Sequence, residues 1–289
     1  HDGTSIPVFS DYAVTDLSVD CGGHIWCATN GGGILEIMPD MTWNQHTAAS
    51  TGGLIPQDNI QSLEIRCGVL WIATVDSGVV KIEGLTDPGG NARYTSENSP
   101  LPYNRVYGIS FDRQGNVWMG GQRDPATGLA YVSSLSSDGQ NWTVYEYMDP
   151  ALSLDVVSAD RVYYVAVDDR NTKWFSTHYG VTYLKADGTT GVVDFTNGAY
   201  DRSVFADYRG NVYISIRETD RAASRIYVSS DYGENWEEWD LAAIGYTLGP
   251  ADARPEVYDI GYDSWGRLWV CTWFGVSYRD PDGSWHLIG

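Results

Sequence analysis

The residues best suited to chemistry lie in irregular segments of the chain, where arginine, acidic and aromatic side chains occur together. Aromatic rings stack on the apolar faces of sugars, while arginine and carboxylate groups hydrogen-bond to sugar hydroxyls. This combination predicts a binding site for a neutral or acidic sugar. Its candidate residues are Arg105, Arg123, Arg161, His178, Tyr179, Arg217, Glu218, Trp273 and Phe274.

The same segments offer few groups for catalysis. A glycoside hydrolase needs two carboxylates at a defined separation, and Glu218 and Asp220 are the candidates. A lyase needs a base, for which His178 is the candidate, although a lone histidine more often has a structural role. We therefore predict no catalytic residue, and keep a polysaccharide- or antibiotic-directed lyase or hydrolase as an alternative.

These segments interrupt a motif, D-x-x-G-x-x-W, that recurs along the chain. Asp accepts hydrogen bonds from backbone N–H groups two residues on, and Gly allows the positive φ that closes a tight hairpin. Each copy therefore predicts a β-hairpin whose aromatic anchor packs between neighbouring sheets. The second copy is one residue shorter in its turn and carries Arg66 where the others carry Asp. The six anchors are Trp26, Trp71, Trp118, Trp174, Tyr213 and Trp269.

Alternating apolar residues around each copy predict four short strands per repeat. Six such repeats predict an all-β fold, a six-bladed β-propeller of four-stranded antiparallel blades. A tandem of Greek-key sandwiches is the alternative, but it would not place one anchor at a fixed offset in every four strands. The propeller forms one domain over 1–289, with an extra N-terminal strand over 1–13 and blades at about 14–47, 59–95, 105–148, 161–197, 201–241 and 256–289.

The loops of a propeller decide where its ligands bind. The loops between the second and third strands, and those between blades, lie on one face, which we call the loop face. Irregular loops on a rigid frame are where function concentrates. The candidate sugar-binding residues fall in or beside these loops, so the loop face is the predicted ligand face.

The pattern D-x-x-G-x-x-W-x-x-T, followed by G-[ILV]-x-x, resembles the two-component-regulator propeller repeat, most clearly over Asn98–Gly121. That repeat builds periplasmic sensor regions of hybrid histidine kinases and many secreted bacterial proteins. The resemblance implies a propeller that works outside the cytoplasm. Those sensor regions usually hold two longer propellers, a membrane helix and a kinase, so signalling would need parts that this sequence does not contain.

A second, local resemblance concerns Ser229–Trp236, which matches the Asp-box pattern S-x-D-x-G-x-x-W. Ser136–Trp142 is a version that is one residue shorter. In the families that carry it, the Asp box is a hairpin between outer strands, remote from the catalytic centre. The resemblance therefore implies a structural role and does not bring sialidase activity with it.

Four cysteines fit an oxidising compartment. Cys27 and Cys271 lie in the first and last blades, which meet when the ring closes, and they point to opposite faces of their own sheets. We predict a Cys27–Cys271 disulfide at this closure and a Cys21–Cys67 disulfide between equivalent turns of the first two blades. Four buried free thiols are the alternative. The chain lacks the C-x-x-C spacing of zinc sites, so no metal ligand is predicted.

Residues Ser5–Asp11 are left over once every blade has four strands. This segment can add to the edge of the last blade, or to an exposed edge of a neighbouring molecule. The second arrangement predicts self-association, and with it an alternative function as a filament or surface-layer protein.

The charge of the chain restricts the classes of partner that it can bind. There are 38 acidic and 18 basic residues, with a formal net charge of −20. Such a surface repels nucleic-acid phosphates and anionic lipid headgroups, and no apolar run approaches the ~20 residues that span a bilayer. We expect no nucleic-acid partner, no membrane insertion and no cofactor. The favoured function is a secreted, extracellular or periplasmic binding module that takes a glycan or a protein partner on its loop face.

Overall fold

The structure, a computed structural model, describes most of each repeat. The described residues are 11–66, 68–85, 89–122, 130–146, 161–177, 180–193, 200–207, 209–217, 224–239, 257–263, 265–272 and 275–288. Of the predicted N-terminal strand over 1–13, residues 1–10 lie outside these ranges.

Within the described residues the chain forms 24 strands in six four-stranded sheets. The first two sheets comprise β1–β4 (Val14–Val19, Ile25–Thr29, Ile34–Ile37, Trp43–His46) and β5–β8 (Ile60–Arg66, Val69–Thr74, Val79–Ile82, Ala92–Tyr94). The next two comprise β9–β12 (Val106–Phe111, Val117–Gly121, Tyr131–Leu135, Trp142–Glu146) and β13–β16 (Val162–Val167, Lys173–Thr177, Gly180–Leu184, Thr190–Val193). The last two comprise β17–β20 (Tyr200–Ala206, Val212–Arg217, Ser224–Ser229, Glu237–Trp239) and β21–β24 (Val257–Tyr262, Leu268–Thr272, Gly275–Arg279, Trp285–Ile288).

The strands of each sheet follow chain order, and every described pair is antiparallel. The sheets pack against one another through hydrophobic clusters that join consecutive blades. Trp26 of the first blade lies among Ile60 and Ile72 of the second, and Trp269 of the last blade lies among Leu17 and Leu35 of the first. The ring is therefore closed, and the predicted six-bladed β-propeller is confirmed.

Five of the six anchors are held by the aspartate that opens their turn. Asp112 Oδ1 accepts the backbone N–H groups of Gln114 and Asn116, at 3.0 and 2.9 Å. Asp112 Oδ2 accepts the indole N–H of Trp118 at 2.9 Å. The backbone contacts follow from the turn chemistry, whereas the bond to the anchor was not predicted. It recurs in four other blades, as Asp20–Trp26, Asp168–Trp174, Asp207–Tyr213 and Asp263–Trp269.

The fourth and second turns depart from the motif in different ways. Asn171 replaces glycine in the fourth turn and adopts the same positive φ, 68° against 84° for Gly115, because asparagine tolerates this conformation better than most residues. Arg66 replaces aspartate in the second turn and leaves Trp71 without an acidic acceptor in its own turn. The guanidinium instead crosses to the third blade, where Nη1 donates to the backbone oxygen of Asp112 at 2.6 Å.

The first strand of each blade lines the axis of the ring. Each of these six inner strands carries a bulge or register shift near its first residues, as between Val14 and Asp16 or between Val257 and Asp259. Side chains beyond the bulge face the axis and form the wall of a central channel. Among the described residues, no helix is long and apolar enough to cross a bilayer.

Candidate ligand-binding site

The central channel holds a cavity of about 340 Å³ that all six inner strands line. Its wall combines acidic, hydroxyl and aromatic side chains, which include Asp16, Ser62, Glu64, Tyr164, Phe205 and Asp259. The inner strands start at the loop face and end at the opposite face, which carries the D-x-x-G turns and which we call the turn face. The channel therefore has one end at each face.

Polar side chains in the channel wall join neighbouring blades. Asp259 Oδ2 accepts the backbone N–H of Leu17 at 3.2 Å, which links the last blade to the first. Asp16 Oδ2 accepts the N–H of Leu63 at 2.9 Å, one blade further on. The hydroxyl of Ser62 accepts the N–H of Ile109 at 3.1 Å in the third blade. Three successive blade junctions are thus bridged by the residue that follows the bulge.

The junction between the last and first blades contains two buried carboxyl groups. Asp16 and Asp259 are 8% and 5% exposed and hydrogen-bond to each other. Burial, the negative charge of Asp16 and this hydrogen bond raise the pKa of Asp259 well above its ordinary value. Burial also raises the pKa of Asp16, although its bonds to Asp259, Ser62 and two backbone N–H groups oppose this. Ionisation of Asp259 is therefore disfavoured beside Asp16.

Glu64 lies further along the same channel, towards the turn face. Burial, followed by the negative charge of Asp16, raises the pKa of Glu64 to about 8, and Arg66 opposes this rise. Most Glu64 side chains are consequently uncharged at neutral pH. The channel therefore carries less negative charge than its four acidic lining residues imply.

Cys27 and Cys271 lie at the closing junction as free, fully buried thiols in one hydrophobic cluster. Burial raises the pKa of both thiols far above the ordinary value. Their shared cluster agrees with the predicted proximity, while the Cys27–Cys271 disulfide stays a prediction for an intact-mass measurement on unreduced protein. Cys21 is an exposed free thiol, and Cys67 lies outside the described residues.

Five half-buried side chains form a cluster where the third and fourth blades meet at the loop face, and we call it the loop-face cluster. The rings of Tyr107 and Tyr163 have their centroids 5.5 Å apart and are tilted by 51°. Arg161 places its guanidinium carbon 6.0 Å from the centroid of Tyr163. Gln122 Oε1 accepts hydrogen bonds from Arg105 Nη1 at 3.1 Å and from the hydroxyl of Tyr107 at 3.0 Å. Aromatic and cationic groups are therefore fixed side by side.

The structure places only some of the predicted site residues. Arg105 and Arg161 lie on adjacent blades in the loop-face cluster, and Arg105 Nε also donates to the backbone oxygen of Val75 at 2.9 Å. Arg217 is the last residue of β18, where its backbone pairs with Tyr200 and Ser224. The other candidates lie outside the described residues: Arg123, His178, Tyr179, Glu218, Trp273 and Phe274.

Sequence reasoning missed the channel acids and the paired tyrosines. A signal for the acids is present, because Asp16 and Asp259 are the charged residues of inner strands that otherwise carry no charge, each four residues before a turn aspartate. Tyr107 and Tyr163 follow the first residue of their strands and read as ordinary strand residues. No group of three or more His, Cys, Asp or Glu side chains is arranged to hold a metal ion in the part of the chain that the structure describes.

The fold and the channel are those of a β-propeller, and comparisons with known proteins agree. Residues 100–123 match the family model described as "Two component regulator propeller". This range holds the third turn and its anchor, Trp118, so the resemblance drawn from the repeat is confirmed. The Asp-box resemblance stays a prediction. No curated protein matches the chain in sequence.

Solved structures with the same fold are distant in sequence. An extracellular domain from a B. thetaiotaomicron protein described as a hybrid two component system aligns with a TM-score of 0.64 at 17% identity, over 93% of this chain and 34% of that one. The chain thus spans about a third of that domain. A streptogramin B lyase aligns with a TM-score of 0.56 at 15% identity, over 91% and 92% of the two chains. YCF48 bound to D1 peptide aligns with a TM-score of 0.56 at 11% identity, over 97% and 79%. These likenesses concern the fold.

Proposed function

We propose that this propeller is a non-catalytic binding module that takes a glycan at the loop-face cluster. The observation that carries the proposal is the pair of tilted rings, Tyr107 and Tyr163, set between two arginines on adjacent blades. A ring pair of this kind offers an apolar surface to the CH faces of a sugar. The adjacent guanidinium groups add charge-assisted hydrogen bonds to hydroxyl or carboxylate oxygens.

The cluster is also held in place before any ligand arrives. Gln122 bonds both Arg105 and Tyr107, and the backbones of Gln122 and Arg161 form an isolated bridge between the blades. A side chain that is already ordered loses less conformational freedom on binding, which favours affinity. All five residues are half-buried, so part of each side chain remains accessible to a ligand.

The working location that we propose is outside the cytoplasm. The propeller fold shared with an extracellular domain supports this, as does the match of residues 100–123. A protein partner at the same face is a second candidate, supported by the similarly folded YCF48, which is bound to a peptide. The self-assembly and catalytic alternatives depend on residues 1–10 and on His178 and Glu218, which the structure does not describe.

A binding assay with neutral and uronic-acid oligosaccharides tests the proposal. Tyr163→Ala removes half of the ring pair. We expect binding to weaken by about two- to tenfold, from the ~0.5–1.5 kcal/mol that such a ring contributes beyond its buried area. Trp43→Ala is the matched control, because Trp43 is 38% exposed on an outer strand of the first blade. Absence of glycan binding, or equal losses in both variants, would contradict the proposal.

A further inference from the structure

The channel opens at the turn face into a second cavity of about 330 Å³, bounded by the second to fifth blades. Two arginines and one aromatic ring stand at this opening. Arg66 and Arg113 are exposed, and the guanidinium carbon of Arg66 lies 5.6 Å from the centroid of the Phe111 ring. We call Arg66, Phe111 and Arg113, with the end of Glu64 beneath them, the turn-face mouth.

Both arginines keep most of their hydrogen-bonding capacity. Arg66 Nη1 donates to the backbone oxygen of Asp112, and Arg113 Nη1 donates to that of Asp169. A guanidinium has five N–H donors in a fixed fork, so each retains donors for a further acceptor. Within the described ranges neither forms an ion pair, although the chain has 38 acidic residues for 18 basic ones.

The carboxylates around the mouth are engaged elsewhere. Asp112, Asp168 and Asp207 are buried and accept hydrogen bonds from their own turns and anchors. Asp169 Oδ2 accepts the hydroxyl of Tyr232 at 3.2 Å. Glu64 has its pKa raised to about 8 by burial and by Asp16, so it neutralises little of the arginine charge at neutral pH. The lining of the mouth thus mixes two arginines with four aspartates, and the two guanidinium groups carry its spare hydrogen-bond donors.

We propose that the turn-face mouth is a binding site for a small carboxylate ligand, held by the guanidinium groups of Arg66 and Arg113. The forked donors of arginine match a carboxylate in a bidentate arrangement. The face of Phe111 supplies an apolar contact for the body of the ligand, and the cavity volume suits a molecule of monosaccharide or amino-acid size. A uronic acid and an acidic amino acid share this chemistry. The site lies on the face opposite the loop-face cluster and does not depend on it.

A purely structural role for the two arginines makes a different prediction. Each guanidinium bonds a backbone oxygen of the next blade, from the second to the third and from the third to the fourth. If that were their whole purpose, replacing them would lower the stability of the ring without removing any ligand affinity. Calorimetric titration of the whole chain distinguishes the two roles.

The titration uses glucuronate and glutamate, with glucose and glutamine as uncharged counterparts. We expect at least one carboxylate to bind with a Kd of about 1 mM or tighter. In the Tyr163→Ala background, which disables the loop-face cluster, both uncharged counterparts should bind at least tenfold more weakly. Binding of glucuronate alone, glutamate alone, or both supports the proposal and identifies the source of the carboxylate. Failure of both carboxylates to bind overturns it.

Arg66→Gln and Arg113→Gln should each weaken carboxylate binding by about tenfold, because each removes charge-assisted hydrogen bonds. Arg93→Gln is the matched control: Arg93 is also exposed, and its Nε donates to the backbone oxygen of Ser77 at 2.8 Å on the outer edge of the second blade. Glutamate has no sugar ring for the loop-face tyrosines to stack on, so its affinity should be the same in the native chain and in Tyr163→Ala, which separates this site from the loop-face cluster. Unchanged affinity in both arginine variants overturns the proposal.

The pH dependence of carboxylate binding tests the proposal on the native chain, so this test does not depend on whether the arginine variants fold. As pH rises through about 8, Glu64 ionises beneath the arginines and should repel the ligand, so affinity should fall. Glu64→Gln should remove this step, and an identical step in that variant would contradict the assignment. The other titratable or charged groups that line the two cavities around Glu64 are Asp16, Arg66, Asp112, Arg113, Tyr164, Asp168, Asp169, Asp207, Asp259 and Tyr262.

Discussion

The six turns and the channel wall are built from equivalent positions in the same six repeats, yet they diverge to different degrees. Five turns keep an aspartate that bonds its anchor, at distances between 2.9 and 3.2 Å. Four residues earlier, on the inner strands, the equivalent wall position is occupied by four different residue types across the six blades. These residues are Asp16, Ser62, Gly108, Tyr164, Ser203 and Asp259.

This difference in variability distinguishes residues that every blade requires from residues that serve a particular junction between two blades. An anchor must fill the same gap between neighbouring sheets, so its turn tolerates little change. A wall residue meets a different neighbour at each junction. Asp259 meets the carboxyl group of Asp16, Ser62 meets the backbone N–H of Ile109, and Gly108 meets the closely packed backbone of the fourth blade. Repetition therefore marks structural requirements, and divergence marks the places where the ring is asymmetric.

The largest effect should come from removing an anchor. Trp269 is fully buried between the last and first blades, and Trp269→Ala should lower the free energy of unfolding by about 3–5 kcal/mol. Urea denaturation measures the change. Trp265→Ala in the same turn is the control, since that indole is 51% exposed, and it should cost much less. Equal costs would mean that anchor burial does not hold the blades together.

The contrast between repeated turns and variable wall positions also determines which features could be predicted from the sequence. The anchors and turns recur, so six copies of one signal gave the blade count, the strand order within each blade and the closed ring. The bond from Asp112 to the indole of Trp118 was missed because a motif gives spacing but not the direction of a side chain. The hydrogen-bonded carboxyl pair joins Asp16 and Asp259, which are 243 positions apart in the chain, and no local pattern brings them together.

The loop-face cluster shows the same limit. Arg105 and Arg161 were expected at the loop face because each precedes an inner strand. Their partners, Tyr107 and Gln122, were not expected, because a bulge sets the direction of the first and an inter-blade bridge fixes the second. Irregular backbone of this kind has no periodic sequence signal.

A smaller effect should come from adding one methyl group to the channel wall. A Cβ on Gly108 would lie 2.8 Å from both Tyr164 Cα and Val165 N, which are backbone atoms of the fourth blade. Gly108→Ala should therefore force the third and fourth blades apart and cost about 1–3 kcal/mol of unfolding free energy. At this junction the wall has no room for even a methyl side chain without movement of the backbone.

Gly261→Ala is the matched comparison for Gly108→Ala. A Cβ on Gly261 would meet Leu17 Cδ1 at 2.8 Å, the end of a side chain that can move, and no other atom closer than 4.0 Å. We expect a change within about 1 kcal/mol, because the reduced freedom of the unfolded chain offsets a slight repacking. Thermal unfolding of the two variants side by side checks this. If they lost stability equally, the junctions would be equivalent and the asymmetry of the wall would have no energetic basis.

The smallest effect near pH 5 should come from Asp259→Asn, because an amide can replace the protonated acid as a donor to Asp16. We expect a change of less than about 1 kcal/mol there. In the native chain the pKa of Asp259 is raised, so the folded state holds this proton while the unfolded state releases it. Stability contributed by the protonated acid is thus lost progressively as pH rises from the unfolded pKa towards the folded one.

The asparagine variant lacks this loss, so its stability relative to the native chain should grow with pH, by at most about 1.4 kcal/mol per pH unit. Urea denaturation at several pH values between about 5 and about 8 measures the difference in slope. Asp76→Asn controls for the loss of one negative charge, because Asp76 is exposed on a loop. Parallel curves for the native chain and Asp259→Asn would mean that the carboxyl pair holds no extra proton. The closing junction would then differ from the other five in its residues but not in its chemistry.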